Sequence, residues 1–164
     1  MIALDPGVKA LGWAFGRDGQ ILAAGCSKAG KVTHGAAAIA HVQNIARAIG
    51  VLGLVSASGV FCESMEIRPT DPIYKVRDLV DVQTVGMLTA GMLACSGFGP
   101  AVPVGVQAWK GTVPKHIHHP RILDKLRPEE RAIVDAACKA AGKANAKEVL
   151  DASGLFLYAS QRRA

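Results

Sequence analysis

The first third of the chain alternates short apolar runs with turn residues. Residues 2–4 are apolar and end in Asp5, Pro6-Gly7 follows, and a second apolar run carries Trp13 and Phe15. This pattern predicts a β-hairpin whose first strand bears Asp5 at its C-terminal tip, with Pro6 and Gly7 forming the turn. Residues 20–26 alternate loosely behind Arg17-Asp18-Gly19, a strong hairpin turn, so three consecutive antiparallel strands are expected. Residues 28–31 read as a glycine-bearing loop. The alanine-rich stretch 33–49 has helical spacing, with Gly50 as its stop. Residues 59–63 form a fourth strand that again ends in an acid, Glu63. In a β-β-β-α-β order, a right-handed crossover lays this strand parallel beside the first.

Further on, 67–72 is a loop holding two prolines, and a long helix is expected over 73–96. The apolar residues of that helix cover more than one stripe, and Gly86, Ala90, Gly91 and Ala94 allow close approach. Such a helix is either deeply buried or half of a subunit contact, and both at once is the reading preferred. Residues 101–106 form a fifth strand. The basic, histidine-rich stretch 109–121 reads as a loop. Pro128-Glu129-Glu130 opens a helix that Gly142 closes, its acids placed where the helix dipole favours them. Asn145 then caps a final helix reaching Tyr158 or beyond.

Composition narrows the class. At 164 residues, half of them apolar and with no linker-like tract, the chain is expected to be one domain spanning 1–164. Nineteen Lys and Arg against thirteen Asp and Glu give a formal charge of +6, which suits an anionic partner such as nucleic acid. The four cysteines (Cys26, Cys62, Cys95 and Cys138) show no CxxC or finger spacing and read as reduced, mostly buried thiols. A strand starting at Ile2 leaves no room for a signal peptide, and the apolar windows 85–95 and 49–55 are short of the roughly 18 residues of a membrane span. The expectation is a soluble cytoplasmic protein with no membrane partner.

The acids carry the chemistry. As parallel neighbours, Asp5 and Glu63 end at one edge of the sheet, and two bare carboxylates there favour a hard divalent cation between them. Glu66, three residues on, competes with Glu63. Glu148 and Asp151 are three apart on the last helix and share a face. If that face packs on the sheet edge, four acids converge and suit Mg²⁺ or Mn²⁺. Two such ions about 4 Å apart activate a water and stabilise the leaving oxygen of a phosphodiester. For Glu148 the competing reading is a capping box with Asn145.

Taken together, these stretches resemble the RuvC family of Holliday junction resolvases, within the RNase H-like superfamily. The residues concerned are Ile2-Ala3-Leu4-Asp5-Pro6-Gly7 with Gly12-Trp13-Ala14, then Val60-Phe61-Cys62-Glu63 and Leu79-x-x-x-Gln83-x-x-Gly86. Val106-x-x-Trp109-Lys110-Gly111-Thr112 resembles the family segment carrying an active-site lysine, and Glu148-x-x-Asp151-Ala152 resembles its closing acid pair. The resemblance implies an α/β fold, a five-stranded mixed sheet flanked by helices. It also implies a homodimer that cleaves four-way DNA junctions with Mg²⁺. Asp5, Glu63, Glu148 and Asp151 would be the ligands of two metal ions, and Lys110 a catalytic lysine. The family places Asp or His where Glu148 stands. It can also present an aromatic wedge after the second acid, where this chain has Ser64-Met65-Glu66-Ile67-Arg68.

The expected reaction is hydrolysis in line with the leaving 3′ oxygen, giving 5′-phosphate ends, with Lys110 or Lys115 near the scissile phosphate. Arg68, Lys75, Arg77, Arg121, Lys125 and Arg127 are candidates for DNA backbone contacts, joined by His116 and the two lysines. His116, His118 and His119 could instead form a metal site, but a mobile, phosphate-facing loop is the reading preferred. Rival functions are a ribonuclease H or flap nuclease, a sugar-kinase-like phosphate module, for which the chain is too short, and a catalytically dead DNA-binding protein.

Overall fold

In the computed structural model, which describes residues 1–51, 53, 57–67 and 70–161, β1 (Ile2–Asp5) pairs antiparallel with β2 (Ala10–Arg17), and β2 with β3 (Gln20–Lys28). Asp18 and Gly19 make the second turn at φ 51 and 72, the left-handed pair a tight hairpin requires. After α1 (His34–Val51), β4 (Val60–Ser64) returns parallel to β1, and β5 (Ala101–Gly105) joins parallel to β4. The sheet order is β3-β2-β1-β4-β5, five strands of mixed direction.

Period-two alternation sorts the side chains onto two faces. Ile2, Leu4, Leu11, Trp13, Phe15, Val60 and Cys62 face α1 and α2 (Ile73–Leu93), meeting Ile45, Ile49, Ala90 and Leu93. Ala3, Ala14, Ile21 and Val104 face the other layer. That layer is α3 (Val106–Trp109), α4 (Lys115–Lys125), α5 (Pro128–Ala141) and α6 (Ala146–Ala159). The wholly buried Glu130 of α5 ties this layer to the edge strand, accepting the Ile21 N–H at 2.9 Å and the Arg127 N–H at 2.8 Å.

Three expectations need correction. Gly50 lies inside α1, which runs on to Val51. The stretch 109–121 is not a loop: α4 occupies most of it, with Pro120 inside the helix. Its apolar stripe is real but disguised, because His118 takes the core position one turn before Ile122. The third correction concerns the long helix, which ends as α-helix at Leu93 and runs through a π-helical turn, Ala94–Phe98, where Gly97 sits at φ 91.

By length and mean hydropathy, Ile73–Phe98 is long and apolar enough to cross a membrane. A count of strictly apolar runs underestimates it, because an average tolerates isolated polar and small residues. Here the helix packs on the sheet through Val85, Gly86, Thr89, Ala90 and Leu93. A Cβ on Gly86 would lie 2.6 Å from Pro6, so this helix rests on the turn that follows Asp5. Its outer face leaves Ile73, Tyr74, Val80 and Leu88 exposed. All four cysteines are free thiols; Cys62 is buried, Cys26 and Cys138 half-buried, and Cys95 exposed.

Candidate metal centre

Strand alternation decides which acids meet. Asp5 follows Ala3 onto the α6 face, and Glu63 follows Phe61 onto the same face of β4. The β1–β4 register pairs Leu4 with Cys62, so the two acids stand side by side one step beyond.

What brings α6 down onto them is the smallness of β2 on that face. A Cβ on Gly12 would lie 2.0 Å from the Glu148 carbonyl oxygen, and one on Gly16 would lie 2.4 Å from the Phe156 ring. Only glycine at these positions lets the helix axis come so close. Glu148 and Asp151, on one face of α6, are thereby lowered onto Asp5. Ligand oxygens of Asp5, Glu148 and Asp151 all lie within 4.8 Å of one another. The capping box is absent: Asn145 sits at φ −113, ψ −1, outside the extended conformation an N-cap adopts, and its amide bonds back to the Ala141 carbonyl. Glu148 is therefore available to the acid cluster.

Glu63 stands beside this trio. Its Oε2 accepts a hydrogen bond from Trp109 Nε1 at 3.0 Å, and Lys110 Nζ lies 4.0 Å away. Glu66 is exposed and outside the group.

Charge is distributed unevenly over the four. Asp5 is 5% exposed, and its Oδ2 has no hydrogen-bond partner. Burial holds its carboxyl well above the usual range; the Glu63 charge, a hydrogen bond with Glu148 and the Asp151 charge push the same way. Glu63 is raised as well, by burial above all, with Lys110 pulling back and Asp151 adding to the rise. The neighbouring Cys62 thiol is pushed up to about 12, by burial first and then by Asp5 and Glu63. Asp151 goes the other way. Burial works to raise it, but a hydrogen bond from Lys115, the charges of Lys110 and Lys115 and a hydrogen bond from His119 outweigh that and hold it below the usual range. Lys115 Nζ lies at 2.5 Å, His119 Nε2 at 3.0 Å and Lys110 Nζ at 3.3 Å. Lys115 is held above its usual value in return, Asp151 overcoming the opposing effect of burial.

The donor set fits a hard divalent cation: oxygens only, at the end of a sheet, with one buried acceptor orphaned and no ion pair reaching Asp5 among the described residues. Of the other candidates, Lys110 and Lys115 come to the acids, and so does His119. His118 is instead buried edge-on against Trp109 with ring centroids 5.1 Å apart, while His116 is exposed, so the three histidines do not share one site. Arg77 and Arg121 are exposed, and so are Lys125 and Arg127. Lys75 is exposed and pairs with Asp71 at 2.6 Å. Arg68 lies outside the described residues. Sequence reasoning assigned no role to Trp109; its signal was an isolated tryptophan in a basic stretch, which does not reveal a partner 46 positions away.

The sequence matches no protein-family model and no curated protein. Solved structures match over nearly the whole chain. RuvC of Thermus thermophilus is 16% identical, covering 99% of this chain and 95% of that one at a TM-score of 0.48. T. thermophilus RuvC in complex with a Holliday junction substrate gives 15% identity, the same coverages and 0.49. The yeast mitochondrial Holliday junction resolvase Ydc2 is 9% identical, covering 98% of this chain and 81% of that one at a TM-score of 0.51. The likeness to Ydc2 is one of fold: this chain has a five-stranded mixed sheet flanked by helices, an α/β architecture.

Proposed function

We propose that this protein is a structure-selective DNA endonuclease that resolves four-way junctions by divalent-metal-dependent phosphodiester hydrolysis, leaving 5′-phosphate ends. The observation that carries the reading is the trio of buried Asp5, half-buried Glu148 and buried Asp151 at the sheet edge, with two lysines drawn to it. These three carboxylates, with Glu63 beside them, would hold Mg²⁺ or Mn²⁺, two ions per site. When bound, such ions supply Lewis-acid stabilisation of the attacking and leaving oxygens.

The chain's own residues divide the remaining work by exposure. Lys110, its side chain 11% exposed, lies between Glu63 and Asp151, where its charge would offset the repulsion of the two acids. Lys115, paired with Asp151 and 47% exposed, would meet a phosphate of the substrate. Lys75, Arg77, His116 and Arg121 would contact the DNA backbone together with Arg68, giving salt-sensitive, shape-governed binding. The exposed apolar face of α2 supports a homodimer. Two sites related by a two-fold axis would nick opposed strands symmetrically.

The test compares a synthetic four-way junction with an RNA–DNA hybrid and a flap substrate in Mg²⁺. Paired, symmetric nicks in the junction are expected, abolished by Asp151→Asn while junction binding survives. Preferential cutting of the hybrid or flap would favour another RNase H-like nuclease instead.

A further inference from the structure

We infer that Trp109 is a positioning residue for the second acid, its indole N–H holding one oxygen of Glu63 so that the other is presented to the cation. The inference rests on the reading of the acids as a metal centre. Trp109 Nε1 donates to Glu63 Oε2 at 3.0 Å, and both side chains are nine-tenths buried or more. The donor is neutral. A lysine in its place would cancel the carboxylate's charge, whereas an indole satisfies one oxygen and leaves the negative charge for a cation. Lys110 is at 4.0 Å from the same oxygen, too far to replace that bond.

The indole is itself seated by the helix that carries the other acids. A Cβ on Gly154 would come 2.9 Å from Trp109 Cζ3 and 2.5 Å from Ile122 Cδ1, so α6 accepts the ring only because position 154 is glycine. His118 closes the edge of the ring, and Lys110 Nζ sits 5.1 Å from its centroid. One helix thus supplies Glu148 and Asp151 directly and, one turn later, fixes the group that aims Glu63.

The experiment measures Mn²⁺ affinity by electron paramagnetic resonance for the full chain, for Trp109→Phe, for Glu63→Ala and for the double variant. Phenylalanine keeps an aromatic ring in the seat and removes only the donor and part of the bicycle. The expected result is about a 10-fold loss of affinity in Trp109→Phe. No further loss is expected when the change is added to Glu63→Ala. Losses that multiply across the two variants, or an unchanged affinity in Trp109→Phe, would overturn the inference and leave the metal centre standing. A wild-type chain that binds no Mn²⁺ would overturn the metal centre, and the inference with it. A second readout needs no metal. The Trp109 indole resonance is expected to shift in Glu63→Ala while that of Trp13 stays in place; an unmoved Trp109 signal would show that the bond does not form.

Discussion

Asp5→Asn separates what the acid cluster costs the fold from what it does for a ligand. Asp5 is almost wholly buried, lacks a partner on Oδ2, and lies within 4.8 Å of two other carboxylates. At an effective dielectric of about 20, two unit charges 4.8 Å apart repel by about 3.5 kcal/mol. Proton uptake on Asp5 relieves part of this, so asparagine should recover about 1–3 kcal/mol in metal-free protein near pH 8. At about 2–4 °C per kcal/mol for a domain of this size, the melting temperature should rise by roughly 5 °C.

The sign with pH follows from the raised value of Asp5. Wild-type stability from the protonated acid is fully present below the ordinary aspartate range and is lost as pH rises through the raised value. The advantage of asparagine therefore grows from pH 5 to pH 8. Circular-dichroism melts in chelator at the two values check this. Saturating Mn²⁺ should reverse the ranking, since ligand at about 1,000 times Kd adds about 4.1 kcal/mol to the wild type alone. An Asn variant that is less stable than wild type in chelator at both pH values would refute the reasoning.

Gly12→Ala should abolish Mn²⁺ binding and cost more than about 3 kcal/mol in denaturant unfolding, because its methyl would occupy the backbone of Glu148. Lys115→Gln should destabilise metal-free protein by about 1 kcal/mol at pH 7, a modest figure for a half-exposed lysine. Since Asp151 is held low, that deficit should close as acid protonates it, which urea melts at pH 7 and pH 3 would show. Glu130→Ala, remote from the acids, should cost about 2–4 kcal/mol by orphaning the Ile21 and Arg127 amides, with Mn²⁺ affinity unchanged in a titration.

The strands were legible because their signals are local. Asp18-Gly19 demands a left-handed turn, and the alternation through Ile2, Leu4, Trp13 and Phe15 can be satisfied only by a sheet with two covered faces. Asp5, Glu63 and Asp151 were legible as strand-end or helix-face acids, and right-handed crossover placed β4 beside β1 as the structure has it. The α4 segment was not, because His118 stands at the core position and Pro120 argues against a helix that tertiary packing then imposes. The approach of α6 to the sheet edge stood in the sequence only as a condition. It depends on Gly12 and Gly16 meeting Glu148 and Phe156 more than a hundred residues away, and spacing along one chain does not encode such a pairing. The capping alternative for Glu148 failed for a backbone reason, the near-helical ψ of Asn145, which sequence does not report.

The most direct measurement is the anomalous difference density of a crystal grown with Mn²⁺. A peak coordinated by Asp5, Glu148 and Asp151, absent in Asp151→Asn, is the predicted result. A crystal in which those three carboxylates bind no metal, while Mn²⁺ sits elsewhere on the chain, would contradict the account.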